Sequence, residues 1–327
     1  MKPHDFLRRA ALLAAFFPLV ALAAPASAQD WPTRNITVIV PLGAGSASDI
    51  IARVVMEQVG KQLGQNVIVE NRPGAGGTIG ANMVAKAAPD GYTVLVYGAL
   101  ASAHALYSKL PYDSLNDFVP VMSLGQQPLV IVGAPAKGHK SLGELIAAGK
   151  AKPGSLNYST AGVGSASHFG AERLRASAGF EAQHIPFKGA AEAVTDVIAG
   201  RSDFSVQLTA TTVPQIREGN LVPLAVSAHK RIALLPDVPT TIESGLPAAS
   251  VYAFYTGMYL PAKTPPEIVT KLQQETVKAL DAPPVKARLA TLGVEPMPLT
   301  QPEFAKFIRD DIEANDALVK AAKIPTQ

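Results

Sequence analysis

The segment Gly43-Ala44-Gly45-Ser46-Ala47-Ser48 returns in the second half of the chain as Gly162-Val163-Gly164-Ser165-Ala166-Ser167. Each copy follows a short β-branched or mixed run, residues 35–40 and 156–159, and leads into a run with helical periodicity. In the first of these, Ile50, Ile51, Val54, Val55, Val59 and Leu63 share one face. A strand, a glycine-rich turn and a helix, used twice, restrict the chain to an α/β architecture with two related halves. Such a turn has a definite chemistry. The first N–H groups of a helix lack intrahelical partners and carry the positive end of the helix dipole. Glycine lets a ligand approach the backbone, and serine hydroxyls add rotatable donors. Two loops of this kind facing one another suit an anion held from both sides, at the carboxyl ends of the strands. The same residues also serve as ordinary tight turns and helix caps.

The rest of the chain repeats the alternation. Strands are expected at 67–69, 93–97, 129–132, 183–187, 203–208, 221–227 and 252–261, with helices at 78–88, 141 onward and 190–199. Ser141…Glu144, Thr264…Glu267 and Thr300…Glu303 have the spacing of capping boxes, the last two with proline at the first helical position. The chain then divides into a first domain of residues 29–128 and 253–327 and a second of residues 129–252, with crossings near 120–130 and 250–256.

Residues 1–28 form a leader: Lys2, Arg8 and Arg9, an apolar run at 10–24 too short to span a bilayer, and Ala26-Ser27-Ala28 as a cleavage signal. Arg8-Arg9 leaves twin-arginine export open beside the general route. Cleavage after Ala28 gives a periplasmic protein without a lipid anchor, since the chain has no cysteine. Losing Lys2, Arg8, Arg9 and Asp5 reduces 29 basic and 26 acidic groups to 26 and 25, which argues against nucleic acid as a partner. No cofactor is expected, because no nucleotide loop is present, and there is neither H-E-x-x-H nor G-x-S-x-G. Ser165 and His168 lie three apart without an evident third member of a triad, so His168 is read as capping or lining a cleft rather than catalytic. Asp49 opens the first helix, as a dipole partner or a ligand contact. Arg53, one turn on, is expected to point away from the loop.

These segments resemble the Bug family, periplasmic solute-binding proteins of tripartite tricarboxylate transporters. The resemblance rests on residues 40–49 (V-P-L-G-A-G-S-A-S-D), 69–80, 85–93, 110–113, 151–158, 161–168, 185–190 (I-P-F-K-G-A) and 235–240. It implies a two-domain, type II-like periplasmic-binding-protein fold, with two sheets flanked by helices and a hinge between. It also implies a small carboxylate ligand held between the loops largely by backbone N–H groups, a membrane permease as partner, and a monomer without enzymatic activity. The implied site is Gly43, Ala44, Gly45, Ser46, Ala47, Ser48 and Asp49 with Gly162, Val163, Gly164, Ser165, Ala166, Ser167 and His168. Gly43 and Ser46 stand where the family often has proline and glycine, and Val163 where asparagine is frequent. Gln207 stands where an aspartate is often found, which disfavours an ammonium-bearing ligand. Tyr252, Phe254 and Tyr255 fall near the second crossing, as core residues or as a platform for an aromatic acid. Two rivals stay open: an exported hydrolase using a loop serine, and a carboxylate sensor docking to a receptor.

Overall fold

The computed structural model describes residues 31–326, so the leader and its cleavage site lie outside the described residues. Strand β1 (Ile36–Val40) lies between β2 (Val67–Asn71) and β3 (Thr93–Tyr97), all parallel. β9 (Ala253–Pro261) runs antiparallel to β3 and joins it to β4 (Phe118–Gly133). β4 follows β9 as far as Pro128↔Ala253. From Leu129 on it pairs instead with β7 (Phe204–Leu208) on one side and β8 (Val222–Ser227) on the other. Beyond β7 come β5 (Leu156–Thr160) and β6 (Ala182–Pro186), parallel to it. The described strands thus form two sheets, β2-β1-β3-β9-β4 and β4-β7-β5-β6 with β8, curled about a shared strand.

Strand direction follows from these pairings. β3 and β4 are both antiparallel to β9, so β1 and β3 run the same way as β4, toward the second sheet. β7 is antiparallel to β4 and parallel to β5, so β5 and β7 run back toward the first. The carboxyl ends of the two parallel sets are therefore directed at each other.

Helices cover both faces, as parallel strands buried on two sides require. α1 (Ala47–Leu63) puts Ile51, Val55, Met56 and Val59 against β1 and against Val269 and Leu272 of α8 (Pro266–Asp281). Between them come α2 (Thr78–Ala85), α3 (Leu100–Leu106), α4 (Leu142–Ala151), α5 (Ala166–Ala178), α6 (Ala190–Ile198) and α7 (Thr209–Arg217). α9 (Pro283–Thr291) and α10 (Gln301–Ala321) end the chain. α10 touches both cores: Phe304, Ile308 and Ile312 pack with Leu95 and Tyr97, whereas Leu318 and Val319 pack with Leu174 and Phe169. Arg173 of α5 bonds Asp311 at 3.1 Å and Asn315 at 3.0 Å, fastening α10 to the second sheet.

Three sequence expectations change. The strand expected at 129–132 is the end of one sixteen-residue strand. Pro120, Gly125 and Pro128 hid the rest, and two irregularities in its pairing with β9 fall at 120–122 and 123–125, where bulges accommodate such residues. Helices α3 and α7 were not foreseen: neither has a side-chain cap, and α7 carries Pro214. The capping box expected at Thr264 is absent. Its hydroxyl donates to Pro261 O at 2.7 Å, and Pro265 stands at the N-cap. The box at Thr300 and Glu303 does form.

Candidate functional site

Both echoed loops are strand-to-helix turns, and both helices are capped identically. Ser46 Oγ accepts from Asp49 N, and Ser165 Oγ accepts from His168 N, each at 3.3 Å. Each cap N–H closes the turn onto the first glycine, Ser46 N to Gly43 O and Ser165 N to Gly162 O, both at 3.2 Å. The second glycine of each loop donates to the side chain four residues on: Gly45 N to Asp49 Oδ2 at 2.9 Å, and Gly164 N to His168 Nδ1 at 3.1 Å. These two amides are therefore taken. The N–H groups of Ala47 and Ser48, and of Ala166 and Ser167, have no acceptor among the described residues, as the first turn of a helix leaves them. Gly43, Ala44 and Gly45 are exposed, as is Val163, while Gly162, Gly164, Ser165 and Ala166 are half-buried. Ser48, Asp49, Ser167 and His168 are buried.

Beneath the first loop, Asp49 Oδ1 also accepts from Arg53 Nε and Asn71 Nδ2, both at 3.0 Å. Burial works against its charge, but the Gly45 N–H, Arg53 and Asn71 outweigh it and hold the carboxyl below its ordinary value. Arg53 does not point away from the loop, as the sequence suggested. It reaches back one turn to Asp49, the i, i+4 geometry that favours such a pair.

Beneath the second loop lies an aromatic stack. His168 stacks on His184 with ring centres 4.0 Å apart, and His184 on Tyr158 at 5.0 Å. Tyr158 OH donates to Glu172, whose carboxylate is bound by Arg175 at 2.6 and 2.7 Å. Burial, then the neighbouring His184 and Arg175, push His168 down to about 3. Neutral, with Nδ1 accepting from Gly164, it keeps its proton on Nε2. Ser165 Oγ donates to Gly162 O at 2.7 Å and lies 2.9 Å from Ser167 Oγ. The hydroxyl and the imidazole thus bind backbone rather than each other, and no nucleophile–base pair forms in the loop.

Gln207 is buried in β7 opposite Val130, and its amide nitrogen donates to Ser205 Oγ at 3.1 Å. Gly98, at the carboxyl end of β3, lies under the Phe254 ring so closely that a Cβ there would overlap it. Gly164 has φ +78°, and a Cβ on it would overlap Leu106 Cδ1 of α3. Tyr252 and Tyr255 are core residues, the former beneath the Arg173 guanidinium. A cavity of about 680 Å³ lies elsewhere, lined by Leu124, Val277, Leu289 and Met297 among others. Another of about 650 Å³ is lined by His104, Tyr107 and Asp113. Neither includes the paired helix N-termini, so for an anion the cleft is the stronger candidate.

Sequence reasoning missed the second layer under both loops. Asn71 and His184 come from neighbouring strands, β2 and β6, and only the parallel register brings them beneath Asp49 and His168. No local pattern announces either.

Comparison with known proteins bears on the whole chain. Residues 51–324 match the family model TctC, described as tripartite tricarboxylate transporter family receptor. The chain is 36% identical over 312 residues to protein BugT of Bordetella pertussis, covering 94% of this chain and 95% of that one. Among solved structures, R. palustris Rpa4515 with adipate superposes with a TM-score of 0.79 at 29% identity, covering 91% and 100% of the two chains. MatC (Rpa3494) from Rhodopseudomonas palustris with bound malate gives 0.75 at 34% identity, covering 88% and 100%. Family match, relatives and superpositions agree over most of the chain's length, and the protein belongs to the tripartite tricarboxylate transporter family receptors, the family of the Bug solute-binding proteins.

Proposed function

We propose that this receptor captures a small carboxylate in the cleft between its two sheets and delivers it to the permease of a tripartite transporter. The observation that carries the reading is the pair of N-termini, α1 and α5, at the ends of strands directed toward each other. Each is capped by serine and has two unpaired N–H groups in its first turn. A carboxylate between them meets partial positive charge from both sides, worth about 0.3–2 kcal/mol per helix end. Hydrogen bonds to the charged group add about 1.5–3 kcal/mol each. Not strictly additive, these terms are still enough for micromolar binding at roughly −8 kcal/mol. The adipate and malate in the two related structures are carboxylates of this size.

Residues 29–128 and 253–327 act as one domain and 129–252 as the other, hinged where β4 and β9 cross between the sheets. The protein works as a monomer in the periplasm, after cleavage that leaves Gln29 at the N-terminus. Among the described residues, no helix is long and apolar enough to cross a membrane. The engaged Ser165 hydroxyl argues against the hydrolase reading.

Calorimetric titration with adipate and malate tests the proposal, alongside small-angle scattering with and without ligand. Saturable binding with a smaller radius of gyration is expected. No binding of either acid by folded protein refutes the carboxylate reading. Binding with an unchanged scattering curve refutes closure.

A further inference from the structure

We propose that Lys188 is the counter-cation for the second carboxylate of a dicarboxylate, and so makes the cleft selective for dianions. This rests on the carboxylate reading above and goes beyond it by naming the ligand's charge. The segment 185–190 (I-P-F-K-G-A) has no role in the loops themselves. Its position gives it one. β6 pairs with β5 up to Thr160↔Pro186, and the chain stays alongside for one more residue. Phe187 N donates to Thr160 O at 2.9 Å, and Phe187 O lies 3.1 Å from where a Cβ on Gly162 would stand. Lys188 follows immediately. Its own N–H donates to Glu192 Oε2 at 3.2 Å, which anchors the backbone at the start of α6. Neighbouring strands are about 4.8 Å apart, so the Phe187 backbone is one strand spacing from the second loop, and Lys188 is the next residue, close enough for a lysine side chain to reach the loop.

The Lys188 side chain is exposed, and its ammonium has no ion-pair partner among the described residues. The arginines of α1 and α5 and the one just after β2 are committed. Arg53 is held by Asp49 and Asn71, Arg175 by Glu172, Arg173 by Asp311, and Arg72 by Glu70.

Strand order supplies the direction. Outward from the hinge the first sheet runs β9, β3, β1, β2 and the second β7, β5, β6. The two loops stand mid-cleft, at β1 and β5. Toward the hinge, a second carboxylate meets Phe254, Leu106 and the neutral amide of Gln207, and loses its hydration with no compensating charge. Toward the rim it meets the end of β6 and Lys188. A ligand with one carboxylate between the helix N-termini is therefore stable with its second carboxylate outward, while a monocarboxylate gains nothing from Lys188.

The test is calorimetric titration of the wild-type protein, Lys188→Met and Lys188→Arg with adipate, malate and hexanoate, at low and moderate salt. Thermal unfolding confirms that the variants fold. The expected result is that the wild-type protein binds a dicarboxylate more tightly than hexanoate. Lys188→Met should weaken dicarboxylate binding about ten-fold or more and flatten its salt dependence, with hexanoate unchanged. Lys188→Arg should restore most of the loss. A Lys188→Met variant that binds dicarboxylates as the wild type does, or that loses both classes equally, overturns the assignment while the carboxylate reading stands. Wild-type protein that binds none of the three acids overturns both.

Discussion

Asp49 and His168 occupy the same place in the two halves of the molecule, four residues after a glycine whose N–H each accepts, yet they solve the problem with opposite chemistry. Under the first loop the acceptor is an ionised carboxylate, balanced by Arg53 and Asn71. Under the second it is a neutral imidazole stacked on another, with its charge state set by burial. The hydroxyl layer differs too. Ser48 Oγ is buried without a partner among the described residues, whereas Ser167 Oγ accepts from Ala161 N at 2.8 Å. A repeated backbone device therefore needs no repeated electrostatics. What is shared is the turn and its unpaired helix N–H groups, and each half supports them with whatever its neighbouring strand offers.

The largest effect expected separates the loops by packing. Gly164→Val places a β-branched residue at φ +78° and drives it into Leu106. It should cost about 3 kcal/mol of stability, and weaken carboxylate binding by about ten-fold or more. Gly43 has open space around its Cβ position and no positive φ, so Gly43→Ala should leave stability within about 0.5 kcal/mol. Urea unfolding and titration of the pair decide it. Equal costs would mean that the loops are packed alike.

Acid sharpens the comparison next. His168 has a folded value of about 3 against an ordinary 6.5, so the unfolded chain takes up the proton first. Its contribution is intact above about 6.5 and is lost as pH falls from there toward 3, on the order of 1–2 kcal/mol between pH 7 and 5. Asp49, held below its ordinary 3.8, keeps its contribution throughout that window and loses it only as pH drops through its lowered folded value. Urea midpoints at pH 7 and pH 5 should therefore show a smaller drop in His168→Asn than in the wild-type protein, and an unaltered drop in Asp49→Asn. The reverse pattern would exchange the roles of the two loops.

Smaller still is the contrast between the caps. Ser165 caps its helix, donates to Gly162 O and contacts Ser167, while Ser46 acts as an N-cap acceptor. Ser165→Ala should destabilise by about 1–2 kcal/mol and Ser46→Ala by about 1 kcal/mol or less. The smallest effect expected on binding is that of Arg53→Gln, less than about three-fold, because the side chain is half-exposed and supports Asp49 rather than the ligand. Abolished binding in that variant, with Gly164→Val unimpaired, would replace the helix N-termini by an arginine as the anion's holder.

The sequence by itself determined the repeated strand–turn–helix unit, the positions of most strands and helices, the serine caps of α1 and α5, and the family. The elements rest on local physics: periodicity, glycine turns and side-chain caps act within a few residues and leave their mark there; the family rests on resemblance over longer segments such as 40–49 and 161–168. Tertiary structure decided the rest. It continued β4 through Pro120, Gly125 and Pro128, because pairing with β9 outweighs the local preference of those residues. It brought Asn71 and His184 beneath the loops, because parallel register joins residues that are distant along the chain. It also laid α10 across both cores, where burial of an apolar face selects partners from two sheets at once.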